Sequence, residues 1–104
     1  MEKIILKTTF DILDEYLGEW KKVANLSYNL ENNDGYLWLQ GIRVCKIDNI
    51  KYVLSDEYGA YLHMKNGTKI TVLVIWQAED KPARICEIYK ETKSGYGKML
   101  YSNY

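Results

Sequence analysis

The sequence predicts an α+β domain: one N-terminal helix packed on a five- to six-stranded antiparallel β-meander. Three observations predict it. One stretch near the N-terminus repeats its apolar residues at helical spacing, most of the remainder alternates with a period near two, and short Asn-, Asp- and Gly-containing turns separate the alternating runs. A length of 104 residues supplies one core, so residues 1–104 read as a single domain. Tight turns between successive strands exclude a doubly wound nucleotide-binding sheet, whose parallel strands need long crossovers.

The helix comes first, after a short expected strand at Lys3–Lys7. Thr8 and Thr9 are helix N-cap types, and Ile12, Leu13, Tyr16, Leu17, Trp20, Val23 and Ala24 follow as one apolar stripe. Asp11, Asp14, Glu15 and Glu19 gather toward the positive end of the helix dipole and Lys21 and Lys22 toward the negative end. Leu26, Tyr28 and Leu30 then alternate up to the turn cluster Asn32–Gly35, which predicts a hairpin. Its return strand begins at Tyr36 and is expected to run through to Ile47, with Gly41 as a bulge.

A strand from Ile50 to Ser55 precedes the turn Asp56–Gly59. The next strand places Ala60, Leu62 and Met64 on one face and Tyr61, His63 and Lys65 on the other. Asn66-Gly67 is a strong hairpin signal. Thr68–Gln77 carries Ile70, Val72, Val74 and Trp76 on one face and Leu73 and Ile75 on the opposite one, the pattern of a central strand covered on both sides. After a connection at Glu79–Pro82, Ala83–Thr92 reads as a last long strand, and residues 93–104 read as an edge strand or a mobile tail.

Fourteen Lys plus Arg against fourteen Asp plus Glu give a net charge of zero, which disfavours duplex DNA and anionic membranes as partners. The N-terminal apolar run is too short for a signal peptide, so a cytoplasmic protein is expected, in a host cytoplasm if the chain is phage-encoded. Cys45 and Cys86 lack metal-ligand or redox spacing and read as two buried thiols. His63 is the only imidazole, and no nucleophile-elbow, zinc-protease or phosphate-loop pattern accompanies it. The expectation is a protein without catalysis, metal or cofactor. The acidic helix face is explained by the dipole, and Asn32–Gly35 lacks the distant carboxylate a Ca²⁺ loop needs.

The informative feature is aromatic: ten Tyr, three Trp and one Phe. Tyrosine joins a large contact area to a hydroxyl at low entropic cost, and it accumulates in binding surfaces. Tyr58, Tyr61, Tyr96, Tyr101 and Tyr104, with His63 beside them and Asp11, Glu15 and Glu19 on the helix, are therefore the candidate partner-binding residues. They point to a non-catalytic inhibitor or adaptor of a larger protein or nucleoprotein complex, of the kind phages and mobile elements use against host defence. The alternative is a single-strand nucleic-acid binder, stacking bases on sheet aromatics while Arg43, Lys46, Lys51, Lys65, Lys69, Arg84, Lys93 and Lys98 follow the phosphates. An exposed edge strand offers a route to a homodimer.

Overall fold

The computed structural model describes residues 7–76 and 81–104. Among the described residues one α-helix, α1 (Thr9–Ala24), is followed by eight antiparallel strands, β1 (Leu30–Asn33), β2 (Tyr36–Leu39), β3 (Ile42–Lys46), β4 (Ile50–Asp56), β5 (Gly59–Met64), β6 (Lys69–Ile75), β7 (Arg84–Glu91) and β8 (Gly97–Ser102), with a 3-10 turn at Ile47–Asn49 between β3 and β4. They form two sheets: β1-β2-β3, and the five-stranded meander β4-β5-β6-β7-β8. The α+β class with a helix on an antiparallel sheet is the architecture observed. The expected strand at Lys3–Lys7 lies outside the described residues except for Lys7, as do Glu79 and Asp80 of the connection at Glu79–Pro82.

Helix α1 starts where the sequence says it should. Thr8 is the N-cap, its hydroxyl accepting from the Asp11 N–H at 3.1 Å while the Asp11 carboxylate reaches back to the Thr8 N–H. Asn25 ends the helix in the left-handed conformation. Leu13, Leu17 and Ala24 are buried and Ile12, Tyr16 and Trp20 half-buried, whereas Val23 departs from the expected stripe and is 66% exposed.

The three-stranded sheet differs from expectation at Gly41. Instead of bulging one long strand, Gln40 (φ 56°) and Gly41 (φ 75°) make a two-residue hairpin turn between β2 and β3. Positive φ at Gln40 is stabilised by Asn29, which donates to the Gln40 side chain at 2.8 Å and accepts from its N–H at 2.9 Å. The bulge itself falls at Val44, which is skipped between the Leu37–Cys45 and Trp38–Arg43 pairs. Leu26 to Asn29 is not a strand, but Leu26 is fully buried where the chain enters the sheet.

The helix and the three-stranded sheet share one core with one face of the meander. Leu13 and Leu17 of α1 and Leu37, Leu39 and Val44 of the small sheet pack with Val53, Leu62, Ile70, Val72, Val74, Ile85 and Ile88. On β5, Ala60, Leu62 and Met64 are buried and Tyr61 and His63 are not, as the alternation predicts. Strand β6 is central in the meander, also as predicted. It is covered on one side only: Ile70, Val72 and Val74 are buried, while Leu73 and Ile75 stay half-buried and outside the core. Residues 97–102 form the edge strand β8. Of the two free thiols Cys86 is buried and Cys45 only half-buried.

Candidate functional site: the open face of the meander

The second face of the five-stranded sheet carries Tyr52, Tyr61 and Tyr89. Residues paired across antiparallel strands stand side by side on one face, so the register sorts this face into rows. The middle row runs Leu54, Tyr61, Thr71, Tyr89 and Met99, one residue from each strand, and none is charged. On one side of it lies the row Tyr52, His63, Lys69, Glu91 and Gly97. On the other lies Asp56, Gly59, Leu73, Glu87 and Ser102. Leu54 is 50% exposed, and Tyr52 and Met99 are each 43% exposed.

Contacts within the face hold its rings in place. The Tyr61 hydroxyl donates to the Asp56 carboxylate, both oxygens lying at 3.0 Å, and the Lys69 ammonium sits over the Tyr61 ring, 5.1 Å from its centroid. Burial, helped by the Asp56 carboxylate, pushes the Tyr61 phenol above its ordinary value, so it remains a proton donor. Tyr52 and His63 stack with centroids 4.6 Å apart and planes 17° from parallel. The Tyr89 ring lies across Gly97, since a β-carbon built on that glycine would stand 1.4 Å from the Tyr89 hydroxyl oxygen. Tyr61 and the stacked Tyr52–His63 pair thus arrive preorganised, which lowers the ordering cost of binding.

The candidates picked from sequence separate in space. Tyr61 and His63 lie on the open face. Tyr58, in the β4–β5 turn, and Tyr96, in the β7–β8 turn, are 59% and 78% exposed but mark opposite ends of the sheet. Tyr104 follows β8 and its hydroxyl bonds to Glu87. Tyr101 is not part of the face: Leu100 is skipped between the Ile88–Tyr101 and Tyr89–Met99 pairs, and the bulge turns Tyr101 against the core. The helix acids stand apart and serve the helix. Asp11 closes the capping box, Glu15 pairs with Lys7, and Glu19 lies 3.4 Å from the Lys22 ammonium.

Tyr52, Leu54, Tyr89 and Met99 were not among the sequence candidates. Alternation within β4, where Val53 is buried and its neighbours are exposed, carries the signal for the first two. Beside the face, a hollow of about 400 Å³ between α1 and β4 is lined by Tyr16, Trp20, Val23 and Trp76 with Glu19 and Asp56. Among the described residues no group of three or more His, Cys, Asp or Glu is placed to hold a metal ion, and no helix is long and apolar enough to cross a membrane.

The chain matches no protein-family model, no curated protein and no solved structure.

Proposed function

We propose that this protein is a non-catalytic protein-binding module, an inhibitor or adaptor, that docks its target through the open face of the meander. The observation that carries the reading is the uncharged middle row, Leu54 to Met99, spanning all five strands between a row that holds Lys69 and Glu91 and a row that holds Asp56 and Glu87. An apolar centre with a polar rim is the anatomy of a protein interface. Tyr61 and Tyr89 near its middle are of the residue type that dominates binding energy.

The charge on the face favours protein over a nucleic-acid strand. Its bases are Lys69 and Arg84, with Lys51 at the β4 bulge next to Tyr52, against Asp56, Glu87 and Glu91. Lys90 and Lys98 align with buried Leu62 and Ile70 on the opposite side, Arg43 and Lys46 belong to the other sheet, and Lys65 and Lys93 sit in turns. A single strand laid on these rings would meet as many acids as bases, without the basic excess that phosphate tracking requires.

The test is affinity capture from lysate, run with and without nuclease treatment, with three baits: wild type, Leu54→Asp and Glu15→Gln. Wild type and Glu15→Gln are expected to retain the same stoichiometric protein, and Leu54→Asp to lose at least about tenfold of it. Equal capture by all three baits would move the interface off this face. Capture that requires intact nucleic acid would overturn the reading.

A further inference from the structure

We infer that in the free protein the open face is occupied by a second copy of this chain, the two meanders packing face to face about a twofold axis that runs along β6. The inference deepens the docking reading by naming the first occupant of the face. It rests on the order of residues across the sheet. An isologous interface demands that whatever stands to one side of the axis match what stands equally far on the other side.

The middle row meets that demand. Outward from Thr71 on the central strand come Tyr61 and Tyr89, then the exposed apolar pair Leu54 and Met99. A twofold axis along β6 sets β4 against β8 and β5 against β7 of the second copy. Leu54 then meets Met99, Tyr61 meets Tyr89, and Thr71 meets itself.

The flanking rows agree in size and charge. In one, Tyr52 falls opposite Gly97 and His63 opposite Glu91; in the other, Gly59 falls opposite Glu87 and Leu73 opposite Leu73. Glu87 meets a glycine, Tyr52 meets the Tyr89 ring that lies across Gly97, and an imidazole meets a carboxylate. The one like-charge meeting, Lys69 on the axis, is relieved by the lean of its ammonium over Tyr61, which carries it toward β5 and so toward the second copy's β7 with Glu91. An axis across the strands would instead stack Glu87 on Glu91, so the charges select the axis along β6.

The area fits a weak dimer. Five strands spaced about 4.8 Å apart, over three rows about 6.7 Å apart, make a patch of roughly 24 by 20 Å. Two such patches bury on the order of 1,000 Å², the low end for a specific interface, and a dissociation constant in the micromolar range is expected.

Sedimentation equilibrium of the full chain from about 5 to 500 μM tests this. Wild type is expected to move from the 12.2 kDa monomer toward a species of twice that mass as concentration rises. Leu54→Lys and Met99→Glu should each weaken the dimer at least tenfold, and the double variant Leu54→Lys/Met99→Glu should restore it. Within one copy these positions lie about 19 Å apart, four strand spacings, so recovery can come only from a contact between copies. Circular dichroism checks that each variant folds. A monomer at every concentration, or a dimer that neither single variant weakens, overturns the inference. Neither outcome touches the heterologous capture, which stands or falls by its own baits.

Discussion

Replacing Gly59 by Ala should cost about 3–5 kcal/mol, although the change adds one methyl group to a strand terminus. A β-carbon at Gly59 would stand 1.9 Å from the Val72 carbonyl oxygen and 3.2 Å from the Leu73 Cα, both backbone atoms of the central strand. Ordinary carbon contacts need about 3.5 Å, so β5 and β6 must part by roughly 1.5 Å locally. Ladder bonds there, such as the one from the Val74 N–H to the Tyr58 carbonyl at 2.8 Å, are worth about 1 kcal/mol each. The φ of 154° adds strain of about 1–3 kcal/mol for a side chain. Domains of this kind have only about 5–15 kcal/mol in total, so the variant should unfold at far lower urea. Gly97→Ala is the control. Its new methyl meets the Tyr89 hydroxyl at 1.4 Å, but that is the end of a ring that can swing away, so its cost should stay below about 1 kcal/mol. Urea unfolding followed by circular dichroism measures both. A Gly59→Ala variant within about 1 kcal/mol of wild type, or a Gly97→Ala variant equally damaged, would refute the packing derived for the β5–β6 pair.

Two further outcomes follow from the structure. Thr8→Ala removes the acceptor of the Asp11 N–H and should lower stability by about 1 kcal/mol, some 4–8 °C in Tm, while Thr9→Ala changes little; equal effects would remove Thr8 as the cap. Burial pushes the Cys45 thiol up to about 11, against the pull of nearby Lys90. Because the thiolate is the nucleophile, its alkylation at pH 8 should run roughly a hundredfold slower than that of a free thiol and speed up about tenfold per pH unit; a rate within threefold of free cysteine would contradict the burial.

Features that depend on neighbours in sequence were legible, and features that depend on register were not. The helix followed from the Thr8 cap and the stripe through Leu13 and Leu17, and the faces of β5 followed from strict alternation. Alternation says which residues of one strand share a face. Which faces of different strands coincide is set by turns and bulges, and a one-residue slip reverses the answer. At Gly41 both a bulge and a turn suit glycine, and the choice was made by Asn29 holding Gln40, a contact between residues eleven apart. Strand β7 hid its pattern because Cys86 is skipped between the Leu73–Glu87 and Val74–Ile85 pairs, so Ile85 and Ile88 are both buried although three residues apart. On β8 the extra residue Leu100 likewise turns Tyr101 from the open face toward the core.

The bulges also bear on the proposed pairing of two copies. Sequence suggested pairing through an exposed edge strand, and the meander has two edges, β4 and β8. Each edge strand carries an extra residue of its own: Lys51 is skipped between the Ile50–Met64 and Tyr52–His63 pairs, and Leu100 is skipped on β8. A bulge twists the strand and breaks the regular spacing of N–H and C=O groups that another chain would have to match. Lysines reinforce the effect, Lys51 at the bulge of β4 and Lys98 on β8. Both edges therefore bear the devices that stop strand addition. The same sheet leaves Leu54 and Met99 exposed on its face, where no bulge or charge interrupts the row between them. With edges guarded and the face not, the proposed association falls on the flat of the sheet, where side chains would set the specificity in place of backbone hydrogen bonds.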